Sequence, residues 1–331
     1  MQLVLTEAIS PTGQALVHGL RQRDHRVRVV VDAAVLAAAG TSVAALSTAL
    51  GDPNALTQVF RGADAVVHNA EARVDAAWPR FARAEALQRL RAINIAGTEN
   101  VIAAARAAGC GQLVYLSSAD VTLGHLHRVF WNETQALSVP VVGAYAKAKQ
   151  LAEELALVAS GTDLCITALR PALCWGGGAE QALIVERGGS VERGPSLIAA
   201  GRNLLATTHV QRLTEAVHAS LMTVAGIPVG ARAARRRVYF ITDGVAWEAR
   251  DFLARLCRVL QLPAPRPGPS YPLALLQAVG QDLKRPAKPH TASVLRWGRD
   301  SHFDIQRAIS ELGLSDVGDV EAWMAALFAD G

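Results

Sequence analysis

Gln2-Leu3-Val4-Leu5, then residues 13–23, then Val27-Arg28-Val29-Val30-Val31 form the stretch on which the fold turns. Residues 2–5 are a short apolar run. Residues 13–23 place Ala15, Leu16 and Leu20 at helical spacing. Residues 27–31 are apolar except for Arg28, as strands buried on both faces of a parallel sheet tend to be. Strand, turn, helix and strand within about thirty residues make a βαβ unit. The alternation continues. Asp52 suits an N-cap and Pro53 an N1 position, so a helix to Phe60 follows. Residues 66–69 read as strand, 85–109 as helix, and 113–117 and 164–169 as strands. The fold expected is α/β, a Rossmann-type doubly wound parallel sheet with ligands outside the carboxyl ends of its strands. Residues 1–172 are expected to form this core. Past Pro171 the rhythm breaks at Gly176-Gly177-Gly178, Gly188-Gly189 and the proline-rich residues 263–272. Residues 173–331 are therefore expected to form a smaller substrate lobe, with segments of about residues 205–245 returning to the core.

Of the 331 residues, 51% are hydrophobic, enough for a sizeable core. A net charge of +4 does not argue for nucleic acid, and the cluster Arg232, Arg235, Arg236 and Arg237 lacks interleaved aromatics and reads as solvated surface. Cys110, Cys165, Cys174 and Cys257 have no metal-ligand spacing and read as reduced thiols, so no metal is expected. Met1 runs straight into a strand and no apolar run reaches a membrane span, so the expectation is a soluble cytoplasmic chain without stable membrane insertion. Residues 271–279 suit a cap over an apolar ligand or a membrane-surface contact, and more commonly a helix packed on the lobe.

The chemistry is carried by Ala144-Tyr145-Ala146-Lys147-Ala148-Lys149-Gln150-Leu151-Ala152-Glu153-Glu154, a run of strong helix formers. Tyr145 and Lys149 stand four apart, on one helix face. An ammonium beside a phenol favours the phenolate, which suits proton transfer at an alcohol or carbonyl oxygen. Such a pair is common by chance and is then an exposed contact worth a few tenths of a kcal/mol. Its company gives it weight: Leu113-Val114-Tyr115-Leu116-Ser117-Ser118 is an apolar strand whose carboxyl end carries hydroxyls.

With those residues in place, the sequence resembles the extended short-chain dehydrogenase/reductases, and most of all their branch of 3β-hydroxysteroid dehydrogenase/isomerases and bacterial relatives. The likeness runs through Ala65-Val66-Val67-His68-Asn69-Ala70, Asn94-Ile95-Ala96-Gly97-Thr98, Ser118, Tyr145 and Lys149. It continues through Leu169-Arg170-Pro171-Ala172-Leu173, Thr208-His209-Val210, Tyr239-Phe240-Ile241-Thr242-Asp243-Gly244 and Phe303-Asp304-Ile305. The resemblance implies that Ser118 steadies the substrate oxygen, Tyr145 transfers the proton, Lys149 binds the cofactor ribose and tunes Tyr145, and Asn94 supports the site. It implies cofactor contacts at Thr6, Ser10, Pro11, Thr12, Gly13, Asp32, Asp52, Asn69, Ala70, Pro171 and Leu173 beside Tyr145 and Lys149. Glu133 and His209 are expected to be structural. Family members often pair through a four-helix interface, which implies a homodimer.

The first βα turn departs from the pattern. The family usually has Thr-Gly-x-x-Gly-x-x-Gly; this chain has Thr6-Glu7-Ala8-Ile9-Ser10-Pro11-Thr12-Gly13, with Glu7 and Ser10 where glycines stand. Those glycines let backbone N–H groups approach a pyrophosphate. Glu7 adds a carboxylate there, and Pro11 has no N–H. Ser10-Pro11 still make a good helix start. Asp32, after the second strand, suits a ribose 2′-hydroxyl and so NAD over NADP, and reads equally as a surface turn. Asp52 serves equally as an N-cap. Two functions stand side by side. One is an NAD(P)-dependent oxidoreductase interconverting a secondary alcohol and a ketone on an apolar, steroid-, polyketide- or lipid-like substrate. The other is an isomerase, cyclase or lyase of the same fold, using Ser118, Tyr145 and Lys149 without a dinucleotide.

Overall fold

The computed structural model describes residues 1–31, 46–47, 50–70, 87–88, 90–124, 126–135, 141–227, 237–284 and 290–329. In chain order the first elements are β1 (Gln2–Thr6), α1 (Pro11–Arg21), β2 (Arg26–Val31), β3 (Leu46–Ser47), α2 (Pro53–Phe60) and β4 (Ala65–His68). A π-helical turn, Ala92–Ala96, leads into α3 (Gly97–Ala107), then β5 (Gln112–Leu116), a 3-10 turn (Ala119–Thr122), β6 (Arg128–Trp131) and α4 (Ala144–Ala159). Next come β7 (Cys165–Pro171), β8 (Leu173–Trp175), α5 (Glu180–Glu186), β9 (Leu204–His209), α6 (Val210–Ala225), β10 (Arg237–Ile241) and β11 (Ala246–Glu248). The chain ends in α7 (Ala249–Val259), α8 (Tyr271–Lys284), α9 (His290–Gly298), β12 (Ser301–Phe303), α10 (Gln306–Leu312) and α11 (Val320–Ala329).

Among the described residues the main sheet is parallel and runs β10-β7-β5-β4-β1-β2-β3. Successive residues of β1 face opposite layers, and both layers are dry. Leu3 and Leu5 pack with Leu16, Val17 and Leu20 of α1 and Leu213, Val217 and Leu221 of α6. Val4 packs with Leu56 and Phe60 of α2, Val101 and Ala105 of α3, and Ala152 and Ala156 of α4. This is why the strands read as continuous apolar runs. Full burial of each such side chain contributes about 1.5–3 kcal/mol. The strand order reverses at β1, so Thr6, Asn69, Ser118 and Pro171 follow or end strands on the same edge of the sheet.

Beyond β7, β9 pairs with β8 on one side and β11 on the other in a small sheet, and β12 pairs with β6. Trp175, Leu197, Phe252, Trp297 and Trp323 form a separate apolar cluster there. Helix α1 starts at Pro11, two residues before the expected residue 13, because Ser10 caps it by accepting from Gly13 N at 3.1 Å. The expected helix 85–109 is not uniform: the π turn around Asn94 adds a residue to one turn, a feature that concentrates at functional sites. No helix among the described residues is long and apolar enough to cross a membrane.

Candidate active site

Helix α4 begins after Gly143, whose φ of 103° only glycine adopts readily. Tyr145 lies half-buried in the first turn and Lys149 is fully buried one turn later. The Lys149 ammonium donates to Ala70 O at 2.9 Å and to Leu116 O, and it stands 4.7 Å over the Tyr115 ring. Two carbonyls and a ring face replace water around that charge, which burial alone would make very unfavourable. Lys149 thereby fastens α4 to the carboxyl ends of β4 and β5. Ser118, nearly buried, caps the 3-10 turn by accepting from Asp120 N at 3.1 Å. That leaves its hydroxyl hydrogen free of this duty and available to a substrate oxygen.

Ser118 and Tyr145 line one cavity of about 1650 Å³. Its wall also includes Ser10, Pro11 and Thr12 and the apolar Leu183, Leu197, Ile198 and Ala278. Single-ligand pockets run to about 1,000 Å³, so this space holds more than one small molecule. Leu173 is on its wall, whereas Pro171 is buried at the end of β7 and is not. Gly13 is buried and packed close on Ala8: a Cβ there would lie 2.7 Å from Ala8 Cα. Thr6 Oγ1 sits 2.7 Å from His68 Nδ1 and accepts from Asn69 N at 3.3 Å. Asn69 in turn donates from Nδ2 to Glu7 O at 3.2 Å, and Ala70 receives Lys149. Asn94 is buried under this edge with its carbonyl accepting from Thr98 Oγ1 at 2.9 Å. Asp52 lies away from the cavity wall and caps α2, accepting from Asn54 N and Ala55 N at 3.0 Å each. Asp32 lies outside the described residues.

The first turn has lost two of the pattern's glycines and keeps Gly13. Glu7 has φ 56°, the left-handed region, and its N–H reaches Val30 O at 2.7 Å. The N-terminus of α1 presents Ser10, Pro11 and Thr12 to the cavity, and the helix dipole there favours an anion. The turn's shape and the close-packed Gly13 fit a dinucleotide pyrophosphate, with fewer N–H donors than a glycine loop supplies.

Glu133 accepts from Phe240 N at 2.8 Å, and His209 is stacked 4.6 Å from Trp323 with its ring capping Gln211 N. Both are thus engaged in structure. Burial holds His209 down to about 4, and burial, reinforced by the Lys149 charge, holds His68 down to about 3. Unfolded, both would protonate below about 6.5. Their contribution to stability is complete above that pH and is lost as pH falls toward 4 and 3. At pH 5 each is expected to have given up about 2 kcal/mol. Burial raises Glu133 and Asp243, and these regain part of the loss as they protonate. Urea unfolding at pH 7 and pH 5 checks this, and equal stability at both would refute it.

Four wall residues had no signal in the sequence. Asp120 receives Arg296 through Nε at 3.2 and 3.1 Å and through Nη2 at 2.5 Å, and Arg296 Nη1 continues to Glu186 at 2.6 Å. Arg128 is the fourth. Only Asp120, two residues after Ser118, adjoins a motif. Arg296 reaches Asp120 and Glu186 from more than a hundred residues away in the chain.

A parallel sheet of this order, with a tyrosine and lysine one helical turn apart beside a strand-end serine, defines the extended short-chain dehydrogenase/reductase class. The sequence profile of the 3-beta hydroxysteroid dehydrogenase/isomerase family matches residues 11–269. The 2-alkyl-3-oxoalkanoate reductase of Stenotrophomonas maltophilia (strain K279a) is 31% identical over 269 residues, 80% of this chain and 77% of that protein. The 3 beta-hydroxysteroid dehydrogenase/Delta 5-->4-isomerase of Mycobacterium tuberculosis (strain ATCC 25618 / H37Rv) is 29% identical over 246 residues, 73% of this chain and 65% of that protein. The UDP-glucose 4-epimerase of Thermus thermophilus, solved with NAD, shares the fold at TM-score 0.68 and 18% identity, over 100% of this chain and 99% of that one. The chain belongs to the 3-beta hydroxysteroid dehydrogenase/isomerase family, and it is an enzyme of the oxidoreductase class.

Proposed function

We propose that the protein interconverts a secondary alcohol and a ketone on an apolar substrate, with NAD(P) as hydride carrier. The observation that carries this reading is that Ser118 and Tyr145 share one cavity wall with Ser10, Pro11 and Thr12 at the N-terminus of α1. The bound dinucleotide supplies the hydride in reduction and accepts it in oxidation. Tyr145 gives its phenolic proton to the ketone oxygen, or takes the alcohol proton in reverse. Ser118 donates to that same oxygen and polarises it. Lys149, held by Ala70 and Leu116, keeps a positive charge behind Tyr145 that favours its phenolate. Ser10, Pro11, Thr12 and Gly13 would hold the pyrophosphate. Asp32 favours NAD over NADP. The names of the reductase and dehydrogenase relatives support a ketone or alcohol on an apolar skeleton. Calorimetric titration with NAD(H) and NADP(H) side by side tests the reading; no binding of any form at millimolar concentration would overturn it.

A second reading, an isomerase, cyclase or lyase working without a dinucleotide, is favoured by Glu7 and Pro11 in the turn. The Glu7→Gly substitution separates the two. A non-glycine residue in the left-handed region costs about 1 kcal/mol, so the variant is expected to be as stable as the parent or up to about 1 kcal/mol more so. On the oxidoreductase reading it also binds NAD(H) or NADP(H) several-fold more tightly, because a carboxylate is removed from the turn that leads into α1. No binding of NAD(H) or NADP(H) by either protein would favour the second reading.

A further inference from the structure

We propose that Arg128 anchors a carboxylate that the substrate carries close to its reacting carbon. Arg128 opens β6 and is only 3% exposed, yet its side chain is part of the cavity wall. Its Nη1 reaches Ala119 O and Thr122 Oγ1, both at a long 3.4 Å. The guanidinium lies 5.5 Å from the centre of the Phe303 ring. Nε and Nη2 have no hydrogen-bond partner among the described residues. A buried guanidinium left so under-bonded is unfavourable, and a planar two-oxygen acceptor would satisfy it.

The neighbouring carboxylates do not fill that role. Asp120 is gripped by Arg296 through Nε and Nη2, and Glu186 receives the same arginine's Nη1. Asp282 accepts from His290 N and Thr291 N at the start of α9. Arg187, a third guanidinium on the wall, is turned to Ser196 O at 2.8 and 3.0 Å. Among the described residues of the wall, Arg128 is thus the arginine whose fork remains open to a ligand.

Its position sets the chemistry of that ligand. Ala119, which Arg128 touches, directly follows Ser118. An oxygen steadied by Ser118 therefore lies near the guanidinium, and a carboxylate close along the chain would reach it. A 3-hydroxy or 3-oxo carboxylate has its carboxyl carbon two bonds from the oxygen-bearing carbon. Its apolar tail would then run toward Leu183, Leu197, Ile198 and Ala278. An uncharged polycyclic alcohol would leave Arg128 unanswered. The inference rests on the alcohol–ketone reading of the same site and narrows it to hydroxy and oxo acids.

The test compares 3-hydroxydecanoate with its methyl ester as substrates for NAD(P)+-dependent oxidation, and decanoate with decanol as ligands by calorimetry. The parent protein is expected to show a KM for the acid at least about tenfold below that for the ester, and a matching preference for decanoate. Arg128→Met is expected to erase that preference by raising KM for the acid far more than KM for the ester. Arg128→Lys keeps part of it, since an ammonium attracts the carboxylate but cannot fork to it. An acid preference that survives Arg128→Met overturns the proposal. So does a parent protein that treats acid and ester alike and binds decanoate no better than decanol. The parent comparison decides the matter if the Met variant does not fold. Decanoate preference lost in Arg128→Met without any turnover would uphold the carboxylate site and sink only the oxidoreductase reading.

Discussion

Replacing Tyr145 by phenylalanine is expected to reduce turnover about a thousandfold in both directions while dinucleotide affinity stays within a few-fold of the parent. The substitution removes one oxygen from a half-buried ring in the first turn of α4 and leaves the apolar body in place. The proton then has no positioned donor, and the developing charge on the substrate oxygen is met by Ser118 alone. Positioned proton transfer contributes about 10²- to 10⁴-fold, which sets the scale. The corresponding test on Lys149 would be less clean. Its ammonium joins α4 to Ala70 and Leu116, so removing it loosens the helix as well as the chemistry. Steady-state kcat and a cofactor titration on the same Tyr145→Phe preparation check the expectation. Activity retained within tenfold would show that Tyr145 is not the proton donor. Binding lost together with activity would show that the ring holds the cofactor and not the proton.

The parallel sheet was legible because its signal is local. Residues 2–5, 13–23 and 27–31 carry the βαβ unit in their own spacing, and both faces of β1 are dry, so its residues read apolar without alternation. The Ser118, Tyr145 and Lys149 set was legible for a similar reason, as each sits in a short motif. What spacing could not convey was the burial of Lys149, which is decided by where β4 and β5 end. Nor could it convey the conformation of Glu7. Residue identity argues against a left-handed turn there, and the fold imposes one through the bond to Val30 O. Asn94 was named for its motif, but the π turn that buries it needs the packing of the neighbouring helices. Pro171 ends its strand as expected and is buried off the cavity wall, so its ring position did not follow from its place in a motif. Arg128 and Arg296 were invisible because nothing near them in sequence announces a site. They come to the wall beside Asp120 only after β12 has paired with β6 and α9 has packed on the cavity.

Beneath the cavity, Arg170 of β7 and Glu153 of α4 form a pair that is 1% and 0% exposed, and removing either partner alone is expected to destabilise the fold by about 3–5 kcal/mol. The guanidinium donates through Nε to Glu153 Oε2 at 2.9 Å and through Nη2 to Oε1 at 2.5 Å, while Ser117 Oγ donates to Oε2 at 2.6 Å. Glu153 lies one turn beyond Lys149, so the two residues together tie one face of α4 to β4, β5 and β7. In the Arg170→Met variant Glu153 keeps the Ser117 hydroxyl and loses both guanidinium bonds, so it must hold a carboxylate in a dry interior or take up a proton. In Glu153→Met the guanidinium is stranded against the Phe240 ring, 5.2 Å away. The intact pair is itself imperfect, since Arg170 Nη1 has no partner among the described residues. Desolvating both charges therefore offsets much of their attraction, and the double substitution to methionine is expected to lie within about 2 kcal/mol of the parent, well above either single variant. Urea unfolding of the four proteins closes the cycle. Singles that each cost under about 1 kcal/mol, or a double whose loss equals their sum, would mean that the pair does not hold α4 in place, and that Tyr145 is positioned by Lys149 and packing alone.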